Sequence, residues 1–200
     1  MIDDLDTTLA NLLKTSARDG SVLKEDNRIF FLPPDDDWRA AARPLCLNVY
    51  LCRVHEHREA RESGWNTIIT DTGHTRVAPP SLIECSYVIT AWSLAGATDD
   101  LGRTQEEHGL LGEVLGILLA NPTIPSAALQ GQLSAQVDEP LLFSLGPEDV
   151  GSERDFWSSF GTHARPSLTC KVVLAWPLIA APTGTPVATT RLTLTANPPA

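Results

Sequence analysis

The chain has 200 residues and a mass of 21.6 kDa, enough for one domain with a substantial core and too short for two large ones. Hydrophobic residues at 42% and charged residues at 20% exclude a disordered or fibrous polymer. With 25 acids against 15 Lys and Arg, the formal charge of -10 disfavours nucleic acid as a partner.

From the N-terminus, Asp3, Asp4 and Asp6 flank Leu5, without the basic-then-apolar order of a secretory leader. Ile2, Leu5, Leu9, Leu12 and Leu13 recur at helical spacing, which predicts a helix over residues 2–15. Acids in its first turn and Lys14 and Arg18 near its end suit the helix dipole, and Gly20 is the expected stop. Residues 28–32 read as a short strand ending at Pro33-Pro34. The Asp35-Asp36-Asp37 triplet that follows reads as solvated carboxylates rather than a cation site.

Over residues 45–54, Leu45, Leu47, Val49 and Leu51 alternate with Cys46, Asn48, Tyr50 and Cys52, the pattern of a strand with two unlike faces. Residues 65–70 form another strand, followed by an Asp71-Thr72-Gly73 turn. After Pro79-Pro80, the β-branched and aromatic run over residues 82–94, with Tyr87, Val88, Ile89 and Trp92, reads as a central strand.

Thr104 and Glu107 have the spacing of a capping box, and the helix that starts there runs to Asn121 before Pro122. Leu110, Leu111, Val114, Leu115, Ile117, Leu118 and Leu119 make it apolar on more than one side, with Glu113 its one charge after His108. Gly112, Gly116 and Ala120 form a small-residue stripe along which a second backbone can approach. Two outcomes are open: burial by the chain's own sheet, or partial burial by a neighbouring subunit.

Ser152 to Asp155 is a second capping box, opening a short helix through Phe156 and Trp157 to Gly161. Residues 167–179 and 190–195 read as two strands of a hairpin around the Pro182–Pro186 loop, and Pro198 and Pro199 finish a loose tail at 197–200. The apolar stretch over residues 172–190 is broken by Pro177, Pro182, Gly184 and Pro186 and is too short to cross a membrane.

No phosphate loop, dinucleotide fingerprint or nucleophile elbow is present, so no catalytic residue and no cofactor is assigned. Cys46, Cys52, Cys85 and Cys170 lack paired zinc spacing and read as reduced core thiols of a cytosolic chain. His55-Glu56-His57 places two imidazoles on one side of a strand but offers no third ligand, and no metal is assigned. His108 beside Glu107 is disfavoured as an acid/base pair by the helix N-terminus it occupies. The acid pairs Asp99-Asp100, Asp138-Glu139 and Glu148-Asp149 read as solvated loop residues.

Several phrases occur in a telling order: Leu47-Asn48-Val49-Tyr50-Leu51, Pro79-Pro80 leading to Tyr87-Val88-Ile89-Thr90-Ala91-Trp92, Glu107-His108-Gly109-Leu110-Leu111-Gly112, Phe156-Trp157, and Arg165-Pro166-Ser167-Leu168. Together they resemble the DUF4255 family, the tail-terminator or cap proteins of extracellular contractile injection systems, which are phage-tail-like particles. The likeness runs from residue 2 to about residue 180. One departure is Cys170, where family members often carry an aromatic residue.

The resemblance implies an α/β (α+β) fold, phage tail-terminator-like, with a mainly antiparallel sheet flanked by helices, in one domain over residues 1–196. It also implies a homo-hexameric ring on the terminal inner-tube ring and terminal sheath ring, without catalysis or cofactor. Head-to-tail contacts close a ring where a self-complementary patch gives only a dimer. The expected seam residues are Gly112, Glu113, Gly116, Phe156, Trp157 and Arg165, with Arg165 paired to an acid across the seam; Phe156 and Trp157 equally suit an ordinary core, and Arg165 a local loop cap. The strand edge at Arg191, Leu192, Thr193 and Thr195 is the expected dock for an extended sheath arm. The competing readings are a small-molecule-binding module or unrecognised hydrolase with a pocket beneath Pro79-Pro80, and an assembly chaperone of the same particle.

Overall fold

The computed structural model describes residues 1–35, 38, 44–57, 66–70, 73–93, 100–136, 140–145, 153–161 and 163–176. Helix α1 (Ile2–Ser16) buries Leu5, Leu9, Leu12 and Leu13. The N-terminal amine pairs with Asp3 at 2.7 Å and Asp4 at 3.1 Å, anchoring its first turn. Gly20 does not end this helix. The chain leaves it at Ala17 in an extended conformation, and Gly20, at φ +78, serves the next turn.

The main sheet is built from β1 (Ile29–Phe30), β2 (Cys46–Glu56), β5 (Ser81–Trp92), β6 (Leu141–Leu145) and β7 (Leu168–Trp176). Across the sheet these five strands lie in the order β1-β2-β5-β7-β6. Only the β1–β2 pair is parallel. The run expected to be a central strand is β5, in the middle of the sheet. Strands β3 (Asn66–Thr70) and β4 (Gly73–Val77) form a separate antiparallel hairpin, of which β4 has no counterpart among the expected elements. The first strand of the expected terminal hairpin is β7, which pairs with β5 and β6; residues 190–195, its expected second strand, and the tail lie outside the described residues.

Leu47, Val49, Cys85, Tyr87, Ile89, Cys170, Val172 and Leu174 project from one face of the sheet into the core beneath α1 and helix α2 (Asp100–Ala120). Burial of each such side chain stabilises the fold by about 1.5–3 kcal/mol. Burial pushes the Cys85 thiol up to about 11 and Cys170 up to about 12, so both stay neutral, as core thiols must. Tyr87 is also buried, and its hydroxyl donates to Asp6 Oδ1 at 2.8 Å.

The opposite face is more polar. Asn48, fully buried, donates to the Leu32 carbonyl at 2.9 Å and accepts from its amide at 3.2 Å, replacing the ladder where β1 ends. Trp38 packs edge-on against Trp92 at 4.7 Å. Helix α3 (Glu153–Ser159) adds Phe156, whose ring lies 5.2 Å from Phe160, itself 5.5 Å from Tyr50 on the sheet. Gly161, at φ +68, lets the chain turn after α3; Ser152 of the expected capping box lies outside the described residues.

The segment between α2 and β6, which has no apolar period, is held by α1. Thr8 Oγ1 accepts the Gln130 amide at 3.0 Å, Asp4 Oδ2 the Gln132 amide at 3.3 Å, and Asn11 Nδ2 donates to the Ala128 carbonyl at 3.1 Å. Residues four and three apart share a helix face, so Asp4, Thr8 and Asn11 form one polar row beside the leucine stripe.

Candidate assembly interface

Helix α2 begins at Asp100, before the expected capping box, and ends at Ala120 as its sequence requires. Glu107 is therefore inside the helix, where it serves a different purpose. Its Oε1 accepts the Ser93 amide at 2.9 Å and its Oε2 pairs with Arg165 Nη2 at 2.6 Å. His108 is exposed on the same helix.

The inner side of α2 buries Leu110, Leu111, Val114, Ile117 and Leu118. Its outer side exposes Gly109, Gly112, Gly116 and Ala120, with Leu119 at 64% exposure. A Cβ on Gly109, Gly112 or Gly116 would meet nothing within 4 Å, so no packing inside the chain calls for glycine there. An exposed helix side made of Gly, Ala and Leu has no reason to face water and good reason to face another surface. Burial by the chain's own fold alone is ruled out: it covers one side of α2 and leaves the other bare.

Glu113 sits at the edge of this bare side, accepting the Arg18 amide at 3.2 Å and facing Arg18 Nε at 3.4 Å. A groove of about 520 Å³ separates the first half of α2 from the turn after α1, lined by Arg18, Val22, Gln105, Glu106, Gly109 and Glu113 among others. This groove does not reach Pro79-Pro80, where the small-molecule reading expected a pocket.

The structure gives two of the expected seam residues surroundings within the chain itself. Trp157 is 2% exposed and its indole belongs to the chain's own core; a large aromatic on a short helix cannot be read as core or surface until the neighbouring elements are placed. Arg165 pairs with Glu107 of its own chain, and its guanidinium lies 4.0 Å over the Trp92 ring, so its charge is already matched internally. Phe156 is partly exposed beside Trp157. Arg191, Leu192, Thr193 and Thr195 lie outside the described residues.

Three of the phrases quoted from the sequence thus meet in space: Trp92, Glu107 and Arg165 form one cluster. A profile described as the Pvc16 N-terminal domain matches residues 4–190. The chain belongs to the Pvc16 N-terminal-domain family. Among solved structures, this Pvc16-family chain is similar to a sheath/tube terminator of PVC, an extracellular contractile injection system, in its extended state, with 20% identity and a TM-score of 0.68. The match covers 98% of this chain and 64% of that one. It is also similar to the tube-terminating cap of the anti-feeding prophage, with 19% identity, a TM-score of 0.66, and coverage of 97% of this chain and 61% of that one. The Pvc16-family chain therefore shares their mixed α+β fold and spans less than two thirds of the length of either. No curated protein matches it.

The remaining polar cluster lies at the far end of the sheet. Glu84, 3% exposed, accepts from or faces His57 Nδ1 at 3.0 Å, Lys171 Nζ at 3.2 Å and His55 Nε2 at 3.6 Å. The two imidazoles converge on the Glu84 carboxylate, and among the described residues no three His, Cys, Asp or Glu side chains form a metal-binding group. Burial alone would raise the Glu84 carboxyl, but the His57 hydrogen bond and the Lys171 ammonium outweigh it and hold the carboxyl below the ordinary range near 4.5. A depressed folded-state value means that stability from this ion pair is present above the unfolded value and is lost as pH falls through the folded one. Glu84→Gln is expected to cost about 1–3 kcal/mol at pH 7 by removing the buried carboxylate charge that His57 and Lys171 face. Its urea midpoint should then fall less steeply than that of the parent chain between about pH 5 and 3, and an equal acid slope would refute the assignment.

No helix among the described residues is long and apolar enough to cross a membrane.

Proposed function

We propose that this chain caps a phage-tail-like contractile injection particle, closing six copies into a ring on the last ring of the inner tube and sheath. What carries this reading is the agreement of the family match over residues 4–190 with the fold shared by a sheath/tube terminator and a tube-terminating cap. The function is steric: one side of the ring matches the last tube ring, the other offers an incoming subunit no complementary surface, and polymerisation stops.

The bare side of α2, with Gly112 and Gly116 at its centre and Glu113 at its edge, supplies one half of a head-to-tail seam. Phe156, partly exposed on the other face of the sheet, remains a proposed contact with the neighbouring copy. The sheath is held by addition of an extended arm to a free strand edge, for which Arg191, Leu192, Thr193 and Thr195 remain the proposed residues. The chain needs no catalysis or cofactor for this task, and it is incorporated in the cytoplasm into a phage-tail-like particle that lysis can release, without nucleic acid or membrane.

Deleting the gene should give tubes and sheaths of uncontrolled length in electron micrographs, and the protein should be found at one blunt end of wild-type particles. Particles of normal length in the deletion strain would overturn the proposal.

A further inference from the structure

The two halves of α2 are held in different ways. From Leu110 onward its inner side is packed into the core, whereas no residue over 101–109 is buried. Leu101 is 66% exposed, and the groove separates Gly102, Gln105, Glu106 and Gly109 from the turn after α1. The first half of the helix thus lacks the buried apolar side of the second half, and polar contacts help to hold it. Ser93, at the end of β5, donates its amide to Glu107 Oε1 and its hydroxyl to Glu106 Oε2, both at 2.9 Å. Arg165, on the segment leading into β7, reaches Glu107 Oε2 at 2.6 Å while its guanidinium carbon lies 4.0 Å from the centre of the Trp92 ring.

Trp92 is itself fixed. It is 3% exposed, packs on Trp38, and donates its indole N–H to Thr90 Oγ1 at 2.8 Å. Arg165 therefore spans the fixed Trp92 ring on the sheet and the Glu107 carboxylate on the helix, a task that suits the planar guanidinium, which can stack and pair at once, and not a lysine. Leu101 and Leu119 are about five helical turns apart and share one azimuth, with exposed His108 and Gly112 each about 20° from the line between them. A change in the tilt of the first half would break the line of that surface.

We infer that Arg165 is a positioning residue: acting through Glu107, it sets the angle of the first half of α2 and so aligns Leu101 with Gly112 and Gly116 for the neighbouring copy. The inference rests on the ring reading for its consequence, but not for its geometry.

Hydrogen exchange on the single chain reads the geometry. Arg165→Gln and Glu107→Gln should each speed amide exchange over residues 100–109 by about tenfold or more while leaving 110–120 unchanged, and the double variant should be no faster than either. Arg165→Lys should fall between the parent and Arg165→Gln. Unchanged exchange over 100–109, or a rise spread equally over the whole helix, would overturn the positioning role. Binding of the same variants to the ends of purified tubes reads the consequence, with a loss of about tenfold or more expected for Arg165→Gln. Faster exchange with undiminished end binding would break the link to the seam. If the parent chain itself binds no tube end, the ring reading fails while the exchange result still judges the clamp.

Discussion

Gly116→Leu, alone or with Gly112→Leu, should leave a well-folded chain that no longer caps tubes. Nothing lies within 4 Å of a Cβ at either position, and both glycines sit in the regular part of α2. Glycine inside a helix costs about 0.5–1 kcal/mol relative to alanine through its backbone freedom, so replacement should hold or raise the melting temperature of the isolated chain. The cost appears only when a second backbone approaches that side. There, side chains where the seam expects bare backbone force the two surfaces apart, and a loss of about 3 kcal/mol corresponds to about a hundredfold weaker association. Sedimentation and binding to tube ends check the association; thermal unfolding checks the fold. Normal capping by the double variant would show that this side of α2 lies away from the seam.

Gly131→Ala should do the reverse and damage the fold itself. Gly131 has φ +56, a left-handed conformation that costs residues with a Cβ about 1 kcal/mol. A Cβ there would also overlap the Asp4 carboxylate. Asp4 cannot simply swing away, because the same carboxylate pairs with the N-terminal amine at 3.1 Å and accepts the Gln132 amide at 3.3 Å. The expected loss is about 2–3 kcal/mol, or about 5–10 °C in melting temperature for a chain of this size. Denaturant unfolding measures it, and the companion variant Asp4→Ala should relieve part of the damage by opening space for the new methyl group. A Gly131→Ala chain as stable as the parent would show that the row of Asp4, Thr8 and Asn11 does not hold this segment tightly.

The elements with a strong period are legible in the amino-acid order itself. Five apolar residues at helical spacing announce α1, the alternation from Leu45 announces β2, and the long β-branched run announces β5 as the central strand. Short elements are not legible in this way. Strand β6 is a run of Leu141, Leu142, Phe143, Ser144 and Leu145 with no alternation to distinguish it, and β4 carries too few apolar residues to declare a face. The segment between α2 and β6 has no period because its order comes from hydrogen bonds to α1, more than a hundred residues away in sequence, and local spacing carries no trace of such partners.

The same division runs through the candidate interface. The sequence alone determined that α2 has more apolar and small residues than one buried side needs, because composition and period set how much of a helix must be covered. It also set Arg165, Glu107 and Trp92 in phrases that resemble those of a known family. Only the tertiary structure decided which surfaces remain bare and which charges are already spent within the chain. Trp157 went to the core and Arg165 to Glu107 because burial and ion pairing depend on what the fold brings within a few ångströms, and that proximity is a property of the packed chain rather than of any local stretch of it.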